Sequence, residues 1–538
     1  MYGLLRPETK RVSDVVEGIV KGEFVLPRFQ RDFVWSQTQV VELLNSIYEQ
    51  IPIGVFLLWD SDQLGKAYKF IGDTKPEGGP HISRHPLYVL DGQQRLTSLL
   101  FSLKPDGLSF SEEIDAKYNI YFSLDSESFY TKCPNGEKCM PAQILGDKDK
   151  YRQFYVDFTK KKDGNKYKEA LKRIDDFLDY EIPILIFSES VTLDVVAKTF
   201  QYLNAKGTPL TLMNLIAAKT YSPGKLDLYE NIDGTRNVID EGGVDYYGDF
   251  TGEEIIRSIA IFNNIDNNPT TIVKKLSTGH IVRDYKKAED AFLEALVFVS
   301  DDMGIPVKLM PYPPMLIPLI VFFMNKPRET LDPEHLNHLR QWFWRSSFNN
   351  RYGSEAASTG VKDSRILVRH HDLNKEVGLK RPEFTAQDFI EAQINSAHGK
   401  AVLGLLQAQK PLDLYSNIDI NMRGIRKRKR KVKNIDKHHI FPKDYLKSKL
   451  RSRNRELANS VCNICWVSKN TNLLISNSPP SRYFKKLKEV NENFTETAKY
   501  QFISVATSSP IWTNNYRKFL KLRAELIYKE ALKLSGFR

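Results

Sequence analysis

Cysteine is nearly absent from this chain: 538 residues hold four, in two close pairs, Cys133/Cys139 and Cys462/Cys465. Such sparse usage argues against a disulfide-built scaffold and fits a reducing cytoplasm. Long apolar runs are missing too. The longest, Met315 to Met324, is too short to span a bilayer, so no membrane partner is expected. The first residues lack a basic stretch followed by an apolar one, which predicts no signal peptide. No internal repeat of solenoid period is present. What the chain does have is core-forming material, 41% hydrophobic residues with 30 Phe and 25 Tyr. At about 150 residues per domain this length suggests two to four domains. The net charge of +12, from 78 Lys+Arg against 66 Asp+Glu, suits a polyanionic partner but by itself bears only on solubility and non-specific binding.

The patterning divides the chain into three parts and predicts an α+β multidomain protein. Residues 1–225 read as mixed α/β. A helix is expected over Val12 to Val20 with Ser13 as N-cap, and a second carries Val40, Val41, Leu43, Leu44 and Ile47 on one face. Strands are expected at Val55–Trp59, Leu87–Leu90, Tyr118–Phe122 and Ile182–Ile186. The charged stretch from Asp147 to Asp176 reads as a surface excursion with a helical end. Residues 226–410 are helical, with apolar stripes in Glu254–Phe262, Ala288–Val299, Pro314–Phe323 and Pro333–Phe348. Arg340 to Arg351 mixes aromatic and basic residues, and a core face with solvated arginines is the favoured reading over nucleic-acid contact. Residues 411–538 open with Arg423, Arg426, Lys427, Arg428, Lys429, Arg430, Lys431 and Lys433. This block is expected to bind DNA backbone by salt-sensitive counterion release rather than to serve as a passive linker.

Directly after the basic block comes Asp436-Lys437-His438-His439-Ile440-Phe441-Pro442, then Asn463 and Asn472. Two adjacent histidines on an extended strand point to opposite faces, giving one metal ligand and one proton acceptor. Phosphodiester hydrolysis needs both: a cation on the scissile phosphate and an activated water. His439 is assigned as general base and His438 as metal ligand. Asn463 would tie the loop and orient the base, and Asn472 would be the second ligand, with Asn470 a rival and Asp436 less favoured. Mixed N/O ligands suit Mg²⁺ or Mn²⁺, although imidazole also admits Zn²⁺ or Ni²⁺. The bland alternative is a satisfied His-His turn in a helical DNA-binding domain. Cys462 and Cys465 have CxxC spacing, but without two further ligands nearby they are read as small buried hydrophobes rather than a zinc site.

A second signature is Leu90-Asp91-Gly92-Gln93-Gln94-Arg95-Leu96-Thr97-Ser98-Leu99, a strand leading through a tight turn into a helix. Gly92 lets a ligand approach the backbone, the helix start favours an anion, and Arg95 offers a bidentate fork for phosphate. Gln93 and Gln94 add neutral hydrogen-bonding groups, and Asp91 would hold Mg²⁺ or a ribose hydroxyl. A plain capped turn has the same outline. Leu26 to Trp35, with Gln30 and Arg31 among aromatics, and Phe200 to Leu210, with Asn204 and Gly207, look joined to this site, or else simply pack the core.

Taken in order, PRFQRDFVW, IPIGVFLLW, VLDGQQRLTSL and FQYLNAKGTPLT resemble the N-terminal domain of GmrSD-type modification-dependent restriction proteins. DKHHIFPK, NSVCNICWVSKNTN and SPPSRYF resemble their C-terminal HNH, or ββα-metal, nuclease domain. The resemblance implies a ParB/sulfiredoxin-like α/β fold that binds and hydrolyses an NTP, GTP or another ribonucleotide, followed by a helical region and a DNA-cutting domain. It implies bacterial defence against phage, relatives responding to glucosylated hydroxymethylcytosine or phosphorothioate, and leaves room for a homo-oligomer. On that analogy Gln30, Arg31, Asp91, Gly92, Gln93, Gln94 and Arg95 become nucleotide-site candidates. His438 departs from the acidic residue that HNH nucleases often place before the base. The expected function is an NTP-regulated, modification-sensing DNA endonuclease. Its alternatives are a nucleotide-regulated DNA-binding protein with an inactive nuclease site and a nuclease toxin triggered on infection.

Overall fold

The computed structural model describes residues 5–28, 30, 33–61, 68–76, 85–105, 108–109, 114, 117–160, 164–191, 195, 211–222, 225–242, 250–369, 382–420, 422, 435–447 and 457–537. Arg31, Asn204, Gly207 and the cations from Arg423 to Lys433 lie outside the described residues. The chain forms two compact units, Met1–Asp227 and Leu228–Arg538.

The first unit is built on a six-stranded mixed sheet. Its strands are β1 (Leu5–Arg11), β2 (Phe24–Pro27), β3 (Phe56–Asp60), β4 (Tyr68–Lys69), β6 (Leu87–Asp91) and β11 (Glu181–Phe187), in the order β1-β11-β3-β6-β2-β4. Parallel pairs β11/β3 and β2/β6 alternate with antiparallel ones. Short strands β5 (Lys75–Pro76) and β7 (Leu108–Ser109) pair with each other, and β8 (Tyr121–Ser123), β9 (Ser128–Tyr130) and β10 (Cys139–Pro141) form a small antiparallel sheet. Helix α1 (Val12–Val20) buries Val12, Val15, Val16 and Ile19, spaced for one face. It starts one residue before the expected cap. Ser13 therefore lies inside the first turn, and the Asp14 carboxylate accepts from the Arg11 N–H at 3.4 Å. Helix α2 (Gln37–Tyr48) is held by a reciprocal Ser36–Gln39 capping box and buries Val40, Leu43, Leu44 and Ile47.

Two local expectations are corrected. Tyr118 to Ile120 is not strand: Tyr118 packs its ring against Phe33 and Phe101 and donates its hydroxyl to the Trp35 carbonyl. Tertiary aromatic packing outweighs β propensity there. Asp147 to Asp176 is not a loose excursion but two helices, Lys148–Thr159 and Lys168–Leu178. The second buries Ala170, Leu171, Ile174, Phe177 and Leu178, an i, i+3/i+4 stripe hidden among many charges. Cys133 and Cys139, expected as thiols, are joined by a disulfide across the β9–β10 connection, Cα to Cα 5.9 Å.

The second unit is mostly helical. Its innermost helix, Leu316–Asn325, buries every residue from Leu316 to Met324 and packs against Glu253–Phe262, Thr278–Val297 and Ala356–Arg369. The longest apolar run is thus a core helix, and among the described residues no helix is long and apolar enough to cross a membrane. In Pro333–Phe348, Trp342, Phe343, Trp344 and Phe348 are buried as a core face. The neighbouring arginines are not all solvated. Arg345 is buried with its guanidinium on the Ser535 carbonyl, and Arg351 pairs with the fully buried Asp363. Residues of the C-terminal segment dock on this helical body: the Val461 N–H donates to Ala392 O at 2.8 Å and the Trp466 indole to Leu403 O at 3.4 Å.

Candidate functional site

In the second unit β12 (Ile435–His439) pairs antiparallel with β13 (Ile464–Ser468), and a helix, Lys469–Ile475, follows directly. The register sets His438 opposite Cys465 and His439 opposite Ile464. Ser468 caps the helix, its hydroxyl accepting from Thr471 N–H at 3.1 Å. That junction is held from below by Asp413, whose carboxylate accepts from Ser468 N–H and from the Thr471 hydroxyl, both at 2.6 Å. It also accepts from the Ser416 N–H at 3.0 Å and hydroxyl at 2.8 Å. Burial pushes the Asp413 carboxyl up, but these hydrogen bonds outweigh it and its pKa lies below the ordinary value.

The helix presents Asn472 to the strand. Asn472 Nδ2 donates to Asp436 Oδ2 at 3.0 Å, and its Oδ1 lies 2.8 Å from His438 Nδ1. With the amide oriented by Asp436, Oδ1 is the acceptor and His438 Nδ1 carries the proton. His438 Nε2 is then a lone pair, buried and without a hydrogen-bond partner among the described residues. Burial pushes the His438 pKa down to about 4, against the Asn472 hydrogen bond, which raises it, so the ring is neutral at pH 7. Tyr483 stands edge-on to it at 5.9 Å and donates its hydroxyl to Ile440 O at 2.6 Å. Asn470 points elsewhere: it is exposed, while Asn472 meets the histidine. Asp436, two residues before His438 and so on the same strand face, joins the chain that the less favoured reading gave it.

His439, at the strand end, is half-buried, with Nε2 3.3 Å from Asn459 Oδ1. Burial lowers its pKa, Asn459 opposes, and Lys443 lowers it further. A proton shared with Asn459 leaves Nδ1 as the acceptor. The spacing reading gave the orienting role to Asn463. Asn463, fully buried, instead accepts from Phe441 N–H at 2.8 Å and donates to the carbonyls of Phe441 at 3.0 Å and Ala458 at 3.1 Å. It ties the loop, and Asn459 is the side chain that touches the base. No spacing rule marks Asn459; only the turn into Val461–Asn463 brings it there. Phe441, packed on Tyr516 and Phe519 at 5.0 and 5.1 Å, anchors the end of the motif in the core.

Cys462 and Cys465 are fully buried free thiols whose pKa values burial pushes up to about 12. Cys462 donates to Phe389 O. Among the described residues no group of three or more His, Cys, Asp or Glu is placed to hold a metal ion, so any cation here draws on asparagine oxygen as well.

In the first unit the turn from β6 into helix α3 (Gln93–Leu103) gathers the other predicted residues. Gly92 caps the helix at φ 100°, and a Cβ there would fall 2.5 Å from the Phe56 ring, so glycine is required twice over. Gln30 donates to the carbonyls of Val89 at 3.2 Å and Leu90 at 2.8 Å, and Gln94 accepts from Val34 N–H at 2.9 Å. The two motifs are thereby stitched together, with Gln30, Gln93 and Gln94 buried. Arg95 donates to Ile53 O at 2.7 Å, Val55 O at 3.1 Å and Asp91 Oδ2 at 2.9 Å, and stacks 4.8 Å above Phe56. Burial lowers its pKa and Asp91 opposes that shift. In this conformation the fork braces the 51–55 turn.

This combination of a mixed sheet, a strand–Asp-Gly–helix turn and a second unit bearing a His-His strand has a counterpart among known proteins. Residues 12–221 match the family described as GmrSD restriction endonuclease, N-terminal domain. The chain carries a GmrSD N-terminal domain, and the match supports a restriction-nuclease role with DNA as partner. An uncharacterized protein of Methanocaldococcus jannaschii is 25% identical over 610 aligned residues, covering 98% of this chain and 99% of its own.

Proposed function

We propose that this chain is a nucleotide-regulated DNA endonuclease that senses modified DNA and cuts it with an HNH-type site in its C-terminal segment. The observation that carries the reading is the Asp436–Asn472–His438 chain of hydrogen bonds on one face of a strand–strand–helix unit, with His439 next along the strand. The donor set fits a divalent cation: the buried lone pair of His438 Nε2 and the oxygens of Asn472 and Asp436 mix nitrogen with hard oxygen, as Mg²⁺ or Mn²⁺ sites with imidazole do. His438 and Asn472 would hold the ion, with Asp436 oriented beside them. Bound there, it would neutralise charge on the scissile phosphate and leaving oxygen. His439 Nδ1 takes the proton of the attacking water, Asn459 holds its ring, and Asn463 keeps the loop in register. The Asp91–Arg95 turn, with Gln30, is assigned the NTP, GTP or another ribonucleotide.

The test is a cleavage panel with the full chain. Unmodified, methylated, glucosylated and phosphorothioated DNA would be incubated with Mg²⁺ or Mn²⁺, with and without each NTP. Metal-dependent cutting that disappears in His439→Ala is expected; equal cutting by both proteins would refute the assignment.

A further inference from the structure

The helix that carries Asn472 has an outward face that the nuclease chemistry does not use. Leu473 and Leu474 are 70% and 62% exposed, the two most exposed large hydrophobic residues described. Thr471 and Ile475 point inward, while Lys469 and Asn470 are exposed. Residues four apart share a ridge on a helix, so Lys469 lies beside Leu473 and Asn470 beside Leu474. The outer face is a blade of two leucines backed by a cation and an amide.

Isolated exposed leucines need no explanation, but two adjacent ones beside a candidate cation ligand are placed where substrate must pass. At 1.5 Å rise per residue they lie within about 3 Å of Asn472 along the helix axis. A duplex whose phosphate reaches His438 and Asn472 therefore lies against this face. Lys469 matches a phosphate and Asn470 a groove edge, which gives the face the charge and polarity of a DNA contact. The face is too small for a stable dimer, which buries about 800 Å² on each partner.

We propose that Leu473 and Leu474 form a wedge that presses into a base step of duplex DNA from the minor groove, unstacking it so that the backbone bends into the cutting site. Apolar side chains, leucine among them, open base steps in this way. The proposal rests on the nuclease reading of the His438–His439 strand.

The full chain, with Mn²⁺ and GTP or ATP, is given short duplexes carrying 2-aminopurine, in unmodified, methylated and glucosylated forms. Wild type and His439→Ala are expected to brighten the probe as the step opens. The double variant L473A/L474A is expected to leave it dark and to cut intact duplex at least tenfold more slowly. It should recover the wild-type rate on a duplex with a mismatched bubble at the cutting position, and L473F/L474F should keep both signals. Wild-type brightening and cutting by L473A/L474A would overturn the wedge, as would an equal loss on intact and bubbled DNA. Loss of a wild-type dimer in sedimentation would overturn it too, assigning the face to a second copy. In each of those cases cleavage remains sensitive to His439→Ala. If wild type cuts no duplex, or His439→Ala cuts as well as wild type, the nuclease reading fails and the wedge falls with it.

Discussion

Replacing Asp413 by asparagine keeps the shape of the side chain and removes only its charge and one acceptor, yet the surroundings leave the amide no good orientation. One carboxylate oxygen faces the Ser468 N–H; the other faces the N–H of Ser416 and, at 3.3 Å, of Tyr415. Whichever way the amide is turned, its NH₂ meets a backbone donor. Asp413 is fully buried, so water does not repair the mismatch. Losing charge-assisted bonds at about 1.5–3 kcal/mol each, with a donor left unmatched, amounts to about 3–5 kcal/mol. At about 2 °C per kcal/mol for a large domain, melting should fall by about 6–10 °C. The folded pKa of Asp413 lies below its ordinary value, so this stabilisation is complete above the unfolded carboxylate pKa. It is lost as pH falls through the folded one. The melting gap between Asp413→Asn and wild type, followed by circular dichroism, should be full at neutral pH and narrow in acid below about pH 4. Because Ser468 and Thr471 begin the helix that carries Asn472, cleavage should weaken as well. A gap of less than a degree or two at neutral pH, or one that widens in acid, would refute the reasoning.

His439→Ala removes a half-buried ring with one long hydrogen bond and should abolish metal-dependent cleavage with melting nearly unchanged; stripping the metal with EDTA should do the same to wild type, reversibly. Asn463→Ala leaves the Phe441 N–H and two carbonyls without their partner. It should lower stability by about 2–4 kcal/mol, read by urea denaturation, where an unchanged midpoint would show that the loop holds without it. Arg95→Ala should lower NTP turnover and destabilise the first unit by about 2–4 kcal/mol through lost charged bonds to the 51–55 turn. Unchanged hydrolysis with lowered melting would reduce the residue to a brace.

Much of the site was legible locally because its chemistry is written in short stretches. The Asp-Gly turn needs a positive φ, and two neighbouring histidines must part across a strand; both follow from backbone geometry over a few residues. So does the Val40–Ile47 face of α2, where helical spacing alone picks out the buried side chains. Composition likewise ruled out long membrane-spanning helices. Folding in three dimensions decided the rest. Asn459 reaches His439, Asp413 reaches Ser468 from 55 residues away, and Arg95 turns from an open fork into a brace, because long-range packing selects partners that no local spacing encodes. The same cause turned Tyr118 from a strand residue into a core aromatic. It also gave Arg345 and Arg351 buried partners and brought Cys133 to Cys139. Local sequence sets what each side chain can do; which groups share a low-dielectric interior, and so must satisfy one another, is fixed only when the chain closes on itself.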